Sequence, residues 1–257
     1  MQGKAEAQDM SEKFAAASGS VDAGEVEKFA RLAQDWWNPK GPMAPLHKMN
    51  PARLAFIRDR LAVDAAAIKP LAGLRLLDLG CGGGLLSEPL ARMGATVVGA
   101  DATGEVLEAA RRHAAGQGLA IDYRETTAEA LLDRGESFDA VLALEVVEHV
   151  AEPAAFLASA AGLVKPGGQL LLSTINRTAK SYLMTIVGAE WVLRLLPRGT
   201  HDWRRFLTPD ELKRLVAAAG LKVTAAQGMV LNPLDGRWRL SDRDLDVNYL
   251  LAAAKPG

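Results

Sequence analysis

From residue 74 onward, short apolar runs alternate with stretches whose apolar residues return every three or four positions. The runs at 74–79, 95–101, 120–125, 138–144 and 169–174 are too short for helices and are closed by Gly, acid or polar residues, so they predict strands. Between them, 85–93, 105–117, 127–132 and 153–163 carry helical spacing. Residues 165–168, Lys-Pro-Gly-Gly, predict a tight turn, 208–219 a further helix, and 221–231 and 246–253 contain two more strands. Strand–helix alternation of this kind predicts an α/β fold: a doubly wound, mostly parallel, seven-stranded sheet with helices on both faces. Ligands in such sheets bind beyond the carboxyl ends of the central strands.

Two regions stand outside that rhythm. Upstream, residues 1–20 have no useful period and predict a mobile arm. Asp22 with Glu25 then suggests a capping box for a helix whose apolar face is Val26, Phe29, Ala30, Ala33 and Trp37. Three prolines and a glycine make 38–45 a loop, and Asn50 followed by Pro51 predicts the start of a second helix burying Leu54, Ile57 and Leu61. Downstream, about 177–206 reads as an inserted segment with a helical middle. Without a repeat or low-complexity linker, 21–257 reads as one domain.

Composition narrows the class. The 257 residues are 49% hydrophobic and 24% charged with a formal net charge of −1, which argues against a nucleic-acid polyelectrolyte. One cysteine excludes an intrachain disulfide, and no apolar run has the length of a membrane span. A cytoplasmic enzyme is the expectation.

The candidate chemistry gathers at strand ends. The first strand runs into Gly80, Cys81, Gly82, Gly83 and Gly84, a turn without Cβ atoms where a ligand must approach closely. Asp78 before the first glycine gives D-x-G-x-G-x-G, which resembles the first motif of class I S-adenosylmethionine-dependent methyltransferases. A dehydrogenase fingerprint fits badly, because Leu85 stands where its third glycine belongs. Asp101 closes the second strand, where a carboxylate can accept both ribose hydroxyls of a nucleoside. Glu129 reads equally as an adenine-side residue or as a first-turn carboxylate. Cys81 reads as a small, unreactive loop residue. After the fourth strand, Glu145, Glu148 and His149 would share one face of a helix. They would there bind a divalent ion or supply a general base, or else merely wall the pocket.

Other segments fall in a consistent order: Trp36-Trp37, Pro45-Leu46-His47, Asn50-Pro51-x-Arg53-Leu54, the glycine loop, Glu145-x-x-Glu148-His149-Val150, Leu163 to Gly168, Ser173-Thr174-x-Asn176-Arg177, Gly199-Thr200-His201-Asp202 and Asp246-Val247-Asn248-Tyr249. Together they resemble the ubiquinone-biosynthesis O-methyltransferases over roughly residues 20–255. The resemblance implies a class I, Rossmann-like methyltransferase fold with N-terminal helices and S-adenosylmethionine as methyl donor. It implies a donor-binding set of Arg53, Gly80, Gly82, Asp101 and Leu144, with Arg53 on the donor carboxylate, Gly80 under its methionine part, Asp101 on the ribose and Leu144 beside the donor. The position of Leu144 is commonly Met in that family. Arg53 would otherwise be a solvated helix residue. The resemblance also associates the activity with a divalent metal on Glu145, Glu148 and His149, Mg²⁺ by its oxygen ligands, with Zn²⁺, Mn²⁺ or Fe²⁺ left open by the imidazole; without a metal, His149 is the candidate catalytic base.

The implied substrate is a polyprenylated phenol or catechol, and other ubiquinone-biosynthesis enzymes are the expected partners, with no nucleic acid. Residues 177–206 are expected to touch an anionic membrane surface, keeping a cytoplasmic enzyme peripheral to the inner membrane. Met184, Val187, Trp191 and Leu195 share one helical face there, and from 176 to 206 six Arg/Lys stand against two acids. A lid over the substrate pocket is the plainer role for the same segment. Competing functions are a methyltransferase of this fold on another small molecule, and a catalytically silent donor-binding scaffold.

Overall fold

The structure is a computed structural model and describes residues 19–186 and 202–257. The expected arm therefore falls almost wholly outside the described residues, as do Val187, Glu190, Trp191, Arg194, Leu195 and Arg198 of the insertion and Gly199 to His201 of the family-like segments.

In chain order the elements are α1 (Ala23–Ala30), a 3-10 turn (Ala33–Asp35), α2 (Ala44–Leu61), β1 (Arg75–Leu79), α3 (Ser87–Arg92), β2 (Thr96–Asp101), α4 (Gly104–Gly116), β3 (Asp122–Glu125) and α5 (Ala128–Asp133). Then come β4 (Phe138–Leu144), α6 (Pro153–Gly162), β5 (Val164–Ile175), α7 (Ala179–Ser181), a second 3-10 turn (Trp203–Arg205), α8 (Pro209–Ala218), β6 (Lys222–Leu231), β7 (Trp238–Ser241) and β8 (Asn248–Ala254). They build one sheet in the order β3-β2-β1-β4-β5-β8-β6-β7. β1 to β5 are parallel, and β8, β6 and β7 pair antiparallel beyond them. This is the class I methyltransferase fold with eight strands. The added one, β7, is a four-residue edge strand whose alternation is too short to announce itself.

Alternate residues of each strand go to opposite faces, and both faces are covered. Leu77, Leu79, Val141 and Leu172 pack with Phe156 and Leu157 of α6 and Leu212 and Val216 of α8. Leu76, Leu142, Leu144 and Leu171 pack with Phe56 and Ile57 of α2 and Leu90 of α3. Asp78 follows the same alternation and faces α2.

Three local expectations are corrected. Asn50 does not cap α2, which begins six residues earlier and runs through Pro51. A proline removes only one helix hydrogen bond, and the Asn50 side chain instead donates to the Leu85 carbonyl at 2.7 Å. Asp22 does cap α1, accepting from Gly24 and Glu25 amides, but Glu25 does not reach back to complete the box. The turn at 165–168 lies inside β5, where the pairing with β4 jumps from Phe138↔Val164 to Ala140↔Gln169.

Candidate functional site

β1 delivers its last residue, Leu79, to a loop held in place from the neighbouring strand. The amides of Gly80 and Cys81 both donate to the Ala100 carbonyl, at 2.7 and 3.1 Å. Gly82 has φ +51°, and a Cβ there would stand 2.1 Å from Trp36, so the loop needs glycine for both conformation and space. At the end of β2, Asp101 accepts the Gly82 amide at 2.8 Å and the Thr103 amide at 2.9 Å. Burial raises the Asp101 pKa, and these amides oppose the rise. Asp78 is 3% exposed and accepts the Ser87 hydroxyl. Burial pushes its pKa up to about 6, against the pull of Ser87 and the Arg53 guanidinium. Burial also pushes the Cys81 thiol up, which fits an unreactive side chain.

In front of the loop lies a solvent-open, mostly apolar cavity. Leu79, Gly80, Gly82 and Asp101 form one wall, and Thr126, Thr127 and Ala128 stand beside it. Val26 and Phe29 of α1, with Trp36, close it from the N-terminal side; Glu145, Val146 and His149 stand at the end of β4.

The end of β4 corrects an expectation. Residues 145–150 form a turn, not a helix. Glu145 takes φ +58°, a left-handed backbone that stops helix propagation and costs a non-glycine residue about 1–2 kcal/mol. Ser173 Oγ accepts the Glu145 amide at 3.0 Å and donates to Glu145 Oε1 at 2.7 Å. Glu148 is 4% exposed and accepts from Thr174 Oγ1 at 2.9 Å, while its Oε1 is enclosed without a partner. Burial, and then the charge of Glu145, raise the Glu148 pKa. His149 turns the other way, placing Nδ1 2.7 Å from Glu25 Oε2 with the Phe29 ring edge-on at 5.3 Å. The proposed metal ligands Glu145, Glu148 and His149 are thus sent to three different partners. Among the described residues no group of three or more His, Cys, Asp or Glu side chains could hold a metal ion.

Glu25 is a cavity-lining residue that the sequence pattern did not single out beyond helix capping. Burial would raise its pKa, but hydrogen bonding to His149 and the charges of His149 and Lys28 hold it at about 2. Its only local signal was the spacing from Asp22; its partner lies 124 residues away. The structure does not bring Arg53 or Leu144 to the cavity wall. Arg53 is 4% exposed, donates to the Leu46 carbonyl at 3.1 Å and stands in the field of Glu145 and Asp78. Leu144 packs on the α2 face of the sheet. Both carboxylate oxygens of Glu129 are enclosed without a partner.

Comparison with known proteins bears on the family and the fold. A model of the methyltransferase domain matches residues 46–226. The chain is 57% identical over 241 residues to the ubiquinone biosynthesis O-methyltransferase of Dinoroseobacter shibae, covering 92% of this chain and 97% of that protein. It is 52% identical over 244 residues to the enzyme of the same name from Parvibaculum lavamentivorans, covering 93% and 96%. Among solved structures it resembles the magnesium protoporphyrin IX methyltransferase of Synechocystis with bound SAH, at a TM-score of 0.56 and 20% identity over 81% of this chain and 82% of that one. That likeness speaks to the fold.

Proposed function

The chain belongs to the ubiquinone biosynthesis O-methyltransferases, and from that premise we propose that it methylates a catechol-type hydroxyl on a polyprenylated ring with His149 as general base. It is an S-adenosylmethionine-dependent O-methyltransferase. In the proposed arrangement the donor lies across the ends of β1 and β2. Its ribose hydroxyls donate to Asp101 and its methionine part rests over Gly80 in the glycine loop that Gly82 shapes; Arg53 and Leu144, which lie behind the cavity wall, would have to turn toward it to meet the donor's carboxylate and flank.

The observation that supports the base is His149 on the wall of the donor cavity with Nδ1 on a carboxylate. With Nδ1 carrying the proton, Nε2 is the basic nitrogen. A phenol titrates near pKa ~10, so removing its proton as the bond forms speeds attack. The hydroxyl proton passes to Nε2, and the oxygen forms a bond to the methyl carbon as the S–C bond breaks. That electron pair stays on sulfur, giving the ether and S-adenosylhomocysteine, and His149 returns its proton to water. His149→Ala should lower kcat by about 10²-fold or more while calorimetry finds S-adenosylhomocysteine bound as before. Unchanged kcat would remove His149 from the chemistry.

No step passes through a metal, because the three side chains do not converge. A second reading keeps a divalent ion such as Mg²⁺ at Glu145 and Glu148 alone, favoured by the enclosed, unpartnered Glu148 Oε1 beside a second carboxylate. Bound there, an ion would lower the pKa of the substrate hydroxyl. Exhaustive chelation would then abolish turnover and spare S-adenosylhomocysteine affinity; full activity after chelation removes this reading.

We place the enzyme at the cytoplasmic face of the inner membrane, where a polyprenylated substrate resides, within reach of other enzymes of the pathway. Among the described residues no helix is long and apolar enough to cross a membrane. Tyr182, Leu183 and Met184, at the start of the inserted segment, are 44%, 60% and 44% exposed. With the basic excess of 177–206 they support reversible docking on anionic lipid, about 1 kcal/mol per basic residue. Equal sedimentation with anionic and neutral vesicles would count against it.

A further inference from the structure

We propose that Glu25, on the helix that closes the donor cavity, is a positioning residue for His149. The proposal rests on the reading of His149 as base and adds the element that aims it. The base comes from the β4 side of the sheet and its orienting carboxylate from α1, so the acid–base pair is complete only when α1 is seated.

Several contacts converge on that arrangement. Glu25 Oε2 stands 2.7 Å from His149 Nδ1, with side-chain exposures of 21% and 15%, so the pair is largely withdrawn from water. The Phe29 ring, one helical turn on, meets the imidazole edge-on at 85° and limits its rotation. The chain before α1 is tied to the same turn, since the Ala151 amide donates to the Ser20 carbonyl at 2.8 Å. Asp22 fixes the first turn of α1 twice over, by capping it and by pairing with Arg205 at 2.6 Å. A carboxylate on Nδ1 selects the tautomer whose Nε2 is basic and steadies the imidazolium formed when the proton arrives. Glu25, Val26 and Phe29 also line the cavity. The element that covers the donor therefore also aims the base, which ties readiness for proton transfer to closure over the donor.

A plainer role would be a staple between α1 and the 145–150 turn, and a double-mutant cycle separates the two. The full-length protein would be assayed at saturating donor with a water-soluble catechol analogue, as wild type, Glu25→Gln, Glu25→Ala, His149→Ala and the Glu25→Ala/His149→Ala double variant. Calorimetry would follow S-adenosylhomocysteine in parallel. Outer-shell partners that orient an imidazole at metal sites are worth about 10–100-fold; by analogy Glu25→Ala should lower kcat by about that factor and leave S-adenosylhomocysteine affinity within about threefold. Glu25→Gln, which still offers an oxygen to Nδ1–H, should recover part of the loss. In the His149→Ala background Glu25→Ala should cost nothing further. Equal losses in both backgrounds, or a loss confined to donor affinity, would overturn the positioning role and leave His149 as base intact. A His149→Ala enzyme of normal kcat would overturn the base reading itself, and the proposal with it.

Discussion

The two halves of the cavity are built on different length scales. On the proposed donor side, the carboxylate anchors of the loop lie between 78 and 103, where Asp101 takes amides from Gly82 and Thr103 and Asp78 takes the Ser87 hydroxyl, and Trp36 and Trp37 reach the loop from further off. On the acceptor side, Glu145 and Glu148 are held from β5, 28 and 26 residues on, and His149 from α1, 124 residues back. A motif carries the geometry of its site only where its partners lie inside the motif. Where they lie elsewhere, spacing names the residues but not what they face.

The largest effect on the donor half is expected of Gly82→Ala. The new methyl would meet Trp36 at 2.1 Å in a backbone of φ +51°, so either the loop or the indole must move. The left-handed backbone alone costs about 1–2 kcal/mol, and overpacking commonly adds 1–3. S-adenosylhomocysteine affinity should fall by roughly 100-fold or more. Gly116→Ala, whose added methyl meets nothing within 4 Å, serves as the control and should bind normally. Similar affinities for the two variants would show that the loop is not rigid.

Asp101→Ala probes the same half from the strand. It removes a proposed ribose acceptor and the anchor of two loop amides, and should weaken S-adenosylhomocysteine by about 1–3 kcal/mol by calorimetry. Unchanged affinity would break the assignment of this wall to the ribose.

The glycine loop, Asp78 and Asp101 were legible because apolar runs, glycines and strand-end acids are local signals. So were β1 to β5. β7 was not, since four residues of alternation do not stand out from a loop. The 145–150 turn failed for another reason. An i, i+3, i+4 argument assumes a regular helix, and the left-handed Glu145, fixed by Ser173 on the next strand, removes that assumption. Arg53 was legible as a residue of interest, but its burial between the fields of Asp78 and Glu145 depends on α2 starting six residues earlier than Asn50 and Pro51 suggest.

Asp78 sharpens the comparison through pH. Its folded pKa, about 6 against an ordinary 3.8, is raised. Its contribution to stability is therefore fully present below about pH 3.8 and is lost as pH rises through 6. Asp78→Asn carries no such charge. The difference in unfolding free energy, variant minus wild type, should therefore be more favourable to the variant at pH 8 than at pH 4, by on the order of 1–3 kcal/mol. A difference that does not change with pH would mean that the carboxylate is not held in the protonated form by burial.

The smallest effect expected is that of Arg205→Ala, and it asks how far the acceptor half extends. Arg205 pairs with Asp22 at 2.6 Å, across 183 residues, with side chains 36% and 27% exposed. The hydrogen bond from Arg205 holds the Asp22 pKa below its ordinary value, so the pair stabilises above about pH 4 and its contribution fades on further acidification. Solvent screening at that exposure leaves roughly 0.5 kcal/mol, a Tm change of about 1–2 °C in a chain of this size. Asp22 keeps its capping bonds in the variant, so α1 should still form and S-adenosylhomocysteine should bind normally. If kcat instead fell as far as in Glu25→Ala, Arg205 would belong to the machinery that seats α1 against His149. The acceptor half would then extend to the segment that follows residue 201.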